Sequence, residues 1–171
     1  MNTLNMNNIN EENLDSKTVV QLIDLLILNH HEYMKVELPR VTKLAYTIRR
    51  VHGNTHPELH EVEKTFKDIV EKIEQYIEKE ENRVFPNIKE YIKLNIEGNL
   101  EVMEVEANDL KNKQISIIES FKKLREQTNN NVAPDDGCQT FDLTYELFSE
   151  IEEVLNKQFN IENKYLFPKL M

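Results

Sequence analysis

Glu80-Glu81-Asn82-Arg83-Val84-Phe85-Pro86 and Glu162-Asn163-Lys164-Tyr165-Leu166-Phe167-Pro168 are two copies of one phrase, one in each half of the chain. Each closes a long amphipathic run with a glutamate six residues before a proline. Tyr76 and Gln158 stand one helical turn before these glutamates and share their face. Equivalent carboxylates on two helices point to a bundle with a pseudo-twofold metal site at its centre. Such a site calls for histidine at Tyr76 and Gln158, and neither position has it.

The rest of the chain reads as helix around these two phrases. Val19, Val20, Ile23, Leu26 and Ile27 are spaced for a first helix capped by Asp15 or Ser16 and continuing through His30, His31 and Met34. Pro39 is expected to kink or break it, because proline removes a backbone donor and clashes with the preceding turn. Val41, Leu44, Ala45 and Ile48 resume the pattern, which Gly53 ends. Thr55-His56-Pro57-Glu58 reads as a capping box for a second helix through Leu59, Val62, Phe66, Ile69, Ile73 and Tyr76. Pro86 marks its end or a kink, and Gly98 breaks the short segment beyond. A third helix is expected from about Leu100 to Gln127 and a fourth from near Thr140 to Pro168, across the loop TNNNVAPDDGCQT. The expected fold is all-α, an antiparallel four-helix bundle with a proline-kinked first helix. Residues 1–15 are expected to be a frayed polar tail and 16–171 one domain.

Composition narrows the function classes. The 171 residues suffice for one domain with a real core, and the three glycines and five prolines leave little room for a sheet. A net charge of −10 without a basic cluster argues against nucleic acid and anionic membrane as partners. The single cysteine, Cys138, excludes an internal disulfide and a thiolate metal cluster. No apolar run approaches a transmembrane length, and the asparagine-rich start does not read as a secretory signal, so the expected location is the cytoplasm. No nucleophile–base arrangement or glycine-rich phosphate loop is legible, so a conventional enzyme is not expected.

A carboxylate-bridged iron centre in a bundle needs bridging carboxylates to balance metal charge and imidazoles to complete coordination. Glu80 and Glu162 fit the bridging role, and His31 can face them from the first helix. All five histidines (His30, His31, His52, His56 and His60) fall within residues 30 to 60, so the third and fourth helices contribute none. His52 lies roughly 31 Å from His31 along a continuous helix, and His60 a similar ~30 Å from Glu80. The histidines at 52, 56 and 60 therefore belong at the other end of the bundle. His56 and His60, at i and i+4, have a spacing able to bind a divalent ion, although solvated histidines at a helix start are the commoner meaning.

These residues resemble the hemerythrin-like domain of the iron–sulfur cluster repair di-iron proteins. The resemblance rests on His-His-Glu-Tyr-Met-Lys-Val-Glu-Leu-Pro at 30–39, Val51-His52-Gly53 with His56-Pro57-Glu58-Leu59, and Lys79-Glu80-Glu81 leading into Phe85-Pro86. Met103-x-x-Glu106, Pro134 with Cys138, and Glu162-Asn163 with Leu166-Phe167-Pro168 continue it, over about residues 17–170. It implies non-heme iron as cofactor, damaged iron–sulfur proteins as partners, and a role in nitrosative or oxidative stress. Carried over by residue, His31 matches the first-helix histidine, and Glu80 and Glu162 the bridging carboxylates. Tyr76, Ala107 and Gln158 replace the histidines of the second, third and fourth helices, and Asn160 replaces another frequent histidine. The first iron of such a pair would keep His31 and the amide oxygen of Gln158. The second would have only Tyr76 and Ala107, and alanine cannot ligate. The expectation is therefore one iron or none rather than two, from His31, Glu80 and Glu162 with Tyr76 and Gln158 beside them. The alternatives are a metal-free binding or regulatory bundle, with a Glu–Tyr–Gln hydrogen-bond network in place of iron, or a mononuclear metal sensor.

Overall fold

The structure, a computed structural model, describes residues 13–94 and 100–170. Its helices are α1 (Val19–Leu26), α2 (Glu32–His52), α3 (Leu59–Lys79), α4 (Phe85–Leu94), α5 (Leu100–Gln127) and α6 (Gln139–Ile161). Wider π turns join α1 to α2 at Ile27–His31, join α3 to α4 at Glu80–Val84, and extend α6 at Glu162–Leu166. The six helices therefore make four rods, arranged as an antiparallel bundle in which α3 packs on α2 and α5 while α2 also packs on α6. Tyr76, Phe66, Phe85, Phe121, Phe141, Phe148 and Phe167 are the largest fully buried side chains among the described residues.

The repeated phrase has a backbone meaning. The Phe85 N–H donates to the Glu80 carbonyl and the Phe167 N–H to the Glu162 carbonyl, each closing a π turn five residues back. The proline that follows has no N–H to lose, so the register slip of the wide turn strands one donor fewer. In the first rod the Glu32 N–H closes the third π turn on Ile27, with His31 as its last residue. All three π turns thus begin or end at a residue of the central cluster, as such insertions often do at functional sites.

Several local expectations change. The first helix is capped by Thr18, whose side chain accepts from the Gln21 N–H while the Gln21 side chain accepts from the Thr18 N–H. This capping box, rather than Asp15 or Ser16, starts the rod. Pro39 lies inside α2 without ending it; Leu38 and Val41 beside it are fully buried and hold the helix through the missing donor. Thr55 does not cap α3, which begins at Leu59 after a turn and has no side-chain cap. His56 bonds Glu58 instead, at 3.1 Å. Gly53 ends α2 with an ordinary φ of −62°, so left-handed freedom is not its role. A Cβ there would sit 2.3 Å from the Arg49 carbonyl oxygen, and this close approach is what demands glycine. Asn129, Asn130 and Asn131 all have positive φ, near 51–60°, a conformation that asparagine tolerates better than other side chains. Of the N-terminal tail, residues 1–12 lie outside the described residues, while Leu14 is buried against the core. Gly98 also lies outside them.

Candidate metal centre

His31, Tyr76, Glu80, Gln158 and Glu162, the five residues singled out from sequence, meet in one cluster at the bundle centre, each with no solvent exposure. They arrive from three rods: His31 from the π turn before α2, Tyr76 and Glu80 from the end of α3, and Gln158 and Glu162 from the end of α6. His31 Nε2 lies 3.0 Å from Glu80 Oε2, and its ring stacks on Phe85 with centroids 5.8 Å apart. Gln158 Nε2 donates to Glu162 Oε1 at 2.7 Å and to Glu80 Oε2 at 3.2 Å. The Tyr76 hydroxyl donates to Glu162 Oε2.

Three partners were not anticipated. Gln114 of α5 donates through Nε2 to the same Glu162 oxygen at 2.7 Å and to the Tyr76 oxygen at 3.0 Å. Asn163 holds Gln114 in turn, its Nδ2 donating to Gln114 Oε1 at 2.7 Å. Glu81 lies 2.9 Å from His31 Nδ1 and takes both its oxygens to within 2.9 Å of Lys35 Nζ. The signal for Gln114 was available, because it sits on the Leu110, Ile117, Phe121, Leu124 stripe that faces the core.

The proton positions follow from burial and partners. Glu81 is held below the usual carboxylate range: its partial burial works against this, and the hydrogen bonds from Lys35 and His31 outweigh it. It is therefore an acceptor, and His31 donates to it from Nδ1. Burial pulls the His31 ring below its ordinary value despite Glu81, so the imidazole is neutral and Nε2 is left as an acceptor. Burial pushes Glu80 and Glu162 well above the usual range. Two like charges at this separation in a dry core cannot both persist. Glu162 receives Tyr76, Gln114 and Gln158 as donors, and Glu80 receives the Gln158 amide and is hydrogen-bonded with Glu162. The centre accordingly holds one proton shared between the two carboxyls, within reach of His31 Nε2. Tyr76 is pushed well above its ordinary value by burial and then by the charges of Glu162 and Glu80, so it stays a phenol.

A two-iron centre does not fit this arrangement. Ala107 is buried but offers no donor atom. The apolar cleft beside it, walled by Val84, Ile88, Met103, Phe167 and Leu170, leaves only about 10 Å³ free, the scale of one water. Glu106, one residue earlier, also lines this cleft and is paired with Lys79 and Arg83. Among the described residues no group of three or more His, Cys, Asp and Glu side chains stands ready to grip an ion without movement. Yet Glu80 Oε1 and Gln158 Oε1 are buried acceptors without a partner, which is the chemistry a single cation would satisfy.

The remaining histidines do gather elsewhere. His52 Nε2 lies 3.1 Å from Cys138 Sγ, His56 Nε2 is 3.0 Å from Asp136, and both rings pack on Phe141. His60 Nε2 lies toward Gly53, while His56 bonds Glu58 and Asp136. His30, next to His31, is fully buried with neither ring nitrogen hydrogen-bonded.

The hemerythrin HHE cation binding domain matches residues 22–170. The chain belongs to this family. Iron-sulfur cluster repair protein YtfE of Escherichia coli O1:K1 / APEC is 26% identical over 161 residues, which cover 94% of this chain and 70% of the relative. The YtfE protein of Escherichia fergusonii matches with the same identity and coverage. Membership accounts for the all-helical bundle of four rods. No helix among the described residues is long and apolar enough to cross a membrane.

Proposed function

We propose that this chain is a non-heme iron-binding hemerythrin-family protein that serves the repair of iron–sulfur proteins damaged by nitrosative or oxidative stress, in the cytoplasm, with an incomplete iron site. The observation that carries the reading is His31, Glu80 and Glu162 converging from three rods at a fully buried point. The Glu81 carboxylate on the far nitrogen of His31 supports it, because metal-binding imidazoles commonly donate their other N–H to a carboxylate. The names of the relatives supply the biological class. Bound iron would supply redox and small-ligand chemistry, while the chain supplies the imidazole, the carboxylates and a dry surround.

The test is deletion of the gene followed by recovery of a cluster-dependent dehydratase after nitric oxide exposure. Slower recovery, restored by the wild-type gene and not by a His31→Ala copy, supports the reading; recovery at the parental rate refutes it. A second reading is a metal-free binding bundle. It is favoured by the Tyr76, Gln114 and Gln158 donors, which satisfy most of the buried carboxylate oxygens without an ion. Equal unfolding temperatures with and without ferrous iron would select it.

A further inference from the structure

The point where the matched ligands converge is held by a nitrogen of the chain itself. Gln158 Nε2 lies 3.2 Å from His31 Nε2, 3.2 Å from Glu80 Oε2 and 2.7 Å from Glu162 Oε1. An amide NH₂ turns partial positive charge toward these acceptors, so it does for them what a cation would do. The other half of the centre is closed differently. There Glu162 Oε2 is committed to Tyr76 and Gln114, and Asn163 fixes Gln114, while Ala107 brings only a methyl.

We infer that this centre takes one divalent cation and not two, at the point held by the Gln158 amide nitrogen, with His31 Nε2, Glu80 and Glu162 as its ligands. This rests on the iron-binding reading above and specifies its site. Ligand bonds to a first-row ion of roughly 2.0–2.2 Å require the three donors to close in by about 1 Å. The Gln158 carboxamide has to swing back from this point, and turning over as it does so removes the competing NH₂ and faces the ion with Oε1, a buried oxygen without a partner. Glu80 Oε1, equally unpartnered, is a further oxygen on the same side chain. His31 needs no rearrangement of its proton, because Glu81 already holds Nδ1–H and leaves Nε2 open. On the Tyr76 side, a second ion would have to break the Tyr76, Gln114 and Asn163 chain and would gain no imidazole.

The experiment is anaerobic loading of the full chain with ferrous iron, desalting, and metal analysis per chain, with cobalt(II) as a second, spectroscopic probe. One ion per chain is expected, retained in Tyr76→Phe and lost in His31→Ala. The air-oxidised iron form should show no tyrosinate-to-iron charge-transfer band that Tyr76→Phe abolishes. Reintroducing imidazole on the closed side, Tyr76→His with Ala107→His, should raise the count toward two. Two ions in the wild type, or a band lost in Tyr76→Phe, would overturn the single-ion site and leave the iron-binding reading standing. One ion undiminished in His31→Ala would overturn its placement. No ion at all would overturn both, and circular dichroism of each variant separates a lost ligand from a lost fold.

Discussion

Tyr76 and Gln114, on neighbouring rods, donate to the same oxygen of Glu162, and Gln114 also donates to the Tyr76 oxygen. In this closed triangle the tyrosine hydroxyl acts as a hydrogen-bond donor to Glu162. Tyr76→Phe leaves the ring contact with Phe159 in place and removes only the hydroxyl. Loss of a buried hydrogen bond to a carboxyl costs about 1–3 kcal/mol. Urea unfolding of the metal-free protein should report a destabilisation in that range, with the iron count unchanged; a variant as stable as wild type would show that the triangle contributes nothing.

Glu81 should matter for metal and little for folding. It orients His31 through Nδ1 and is itself tied to Lys35 near the surface. Carboxylates in this position typically contribute 10–100-fold to metal affinity. Glu81→Gln is expected to weaken ferrous binding by that order, while the Lys35 pair, being half exposed, adds little stability. Competition titration against a metal indicator measures the first effect and thermal unfolding the second. A large drop in unfolding temperature with affinity intact would reverse these assignments.

His30 introduces a pH dependence of its own. Burial, its largest cause, lowers its pKa from the ordinary 6.5 to about 4, and only a contribution from the Val154 backbone works the other way. A depressed folded pKa means that stability is present above the unfolded value and is lost as pH falls toward the folded one. The two values put about 3 kcal/mol of stability at stake in that window. His30→Leu should remove this acid sensitivity and be about as stable near neutrality, since the ring makes only a loose approach to the Val154 backbone and no well-formed hydrogen bond. Parallel denaturant titrations near pH 7 and near pH 4.5 decide it; equal acid losses in both proteins would contradict the assignment.

What the sequence made legible here was periodicity and paired motif, because these are local. The four rods and the partners Tyr76–Glu80 and Gln158–Glu162 follow from spacing alone. Of the two outcomes expected at Pro39, a kink or a break, the break does not occur, because tertiary burial of Leu38 and Val41 outweighs one missing donor. The Thr55 box did not form; in the turn Glu58 pairs with His56, whose other ring nitrogen bonds Asp136. Gln114, Asn163 and Glu81 are joined to the cluster only across rods, a relation that no single helix displays. The three π turns were equally hidden, although Phe-Pro after each glutamate marks two of them.

The two central carboxyls should give the opposite pH slope to His30. Burial raises both Glu80 and Glu162 well above the usual 4.5, and the Glu80 charge adds to the rise at Glu162. A raised folded pKa gives stability that is complete below the unfolded value and is lost as pH climbs through the folded one. Metal-free protein should therefore weaken between an acidic pH near the ordinary carboxylate value of 4.5 and an alkaline pH above the raised folded values, as the unfolded chain holds the charges more easily than the core does. Glu162→Gln keeps the shape and removes one ionisable member, so its stability should vary less over the same span and exceed wild type at the alkaline end. The variant should also lose ferrous binding, since an amide cannot replace the carboxylate charge. Iron, by displacing the proton shared at the centre, should stabilise wild type more at the higher pH. Unfolding midpoints at both pH values, with and without iron, test all three expectations, and an iron-induced shift independent of pH would show that no proton is displaced.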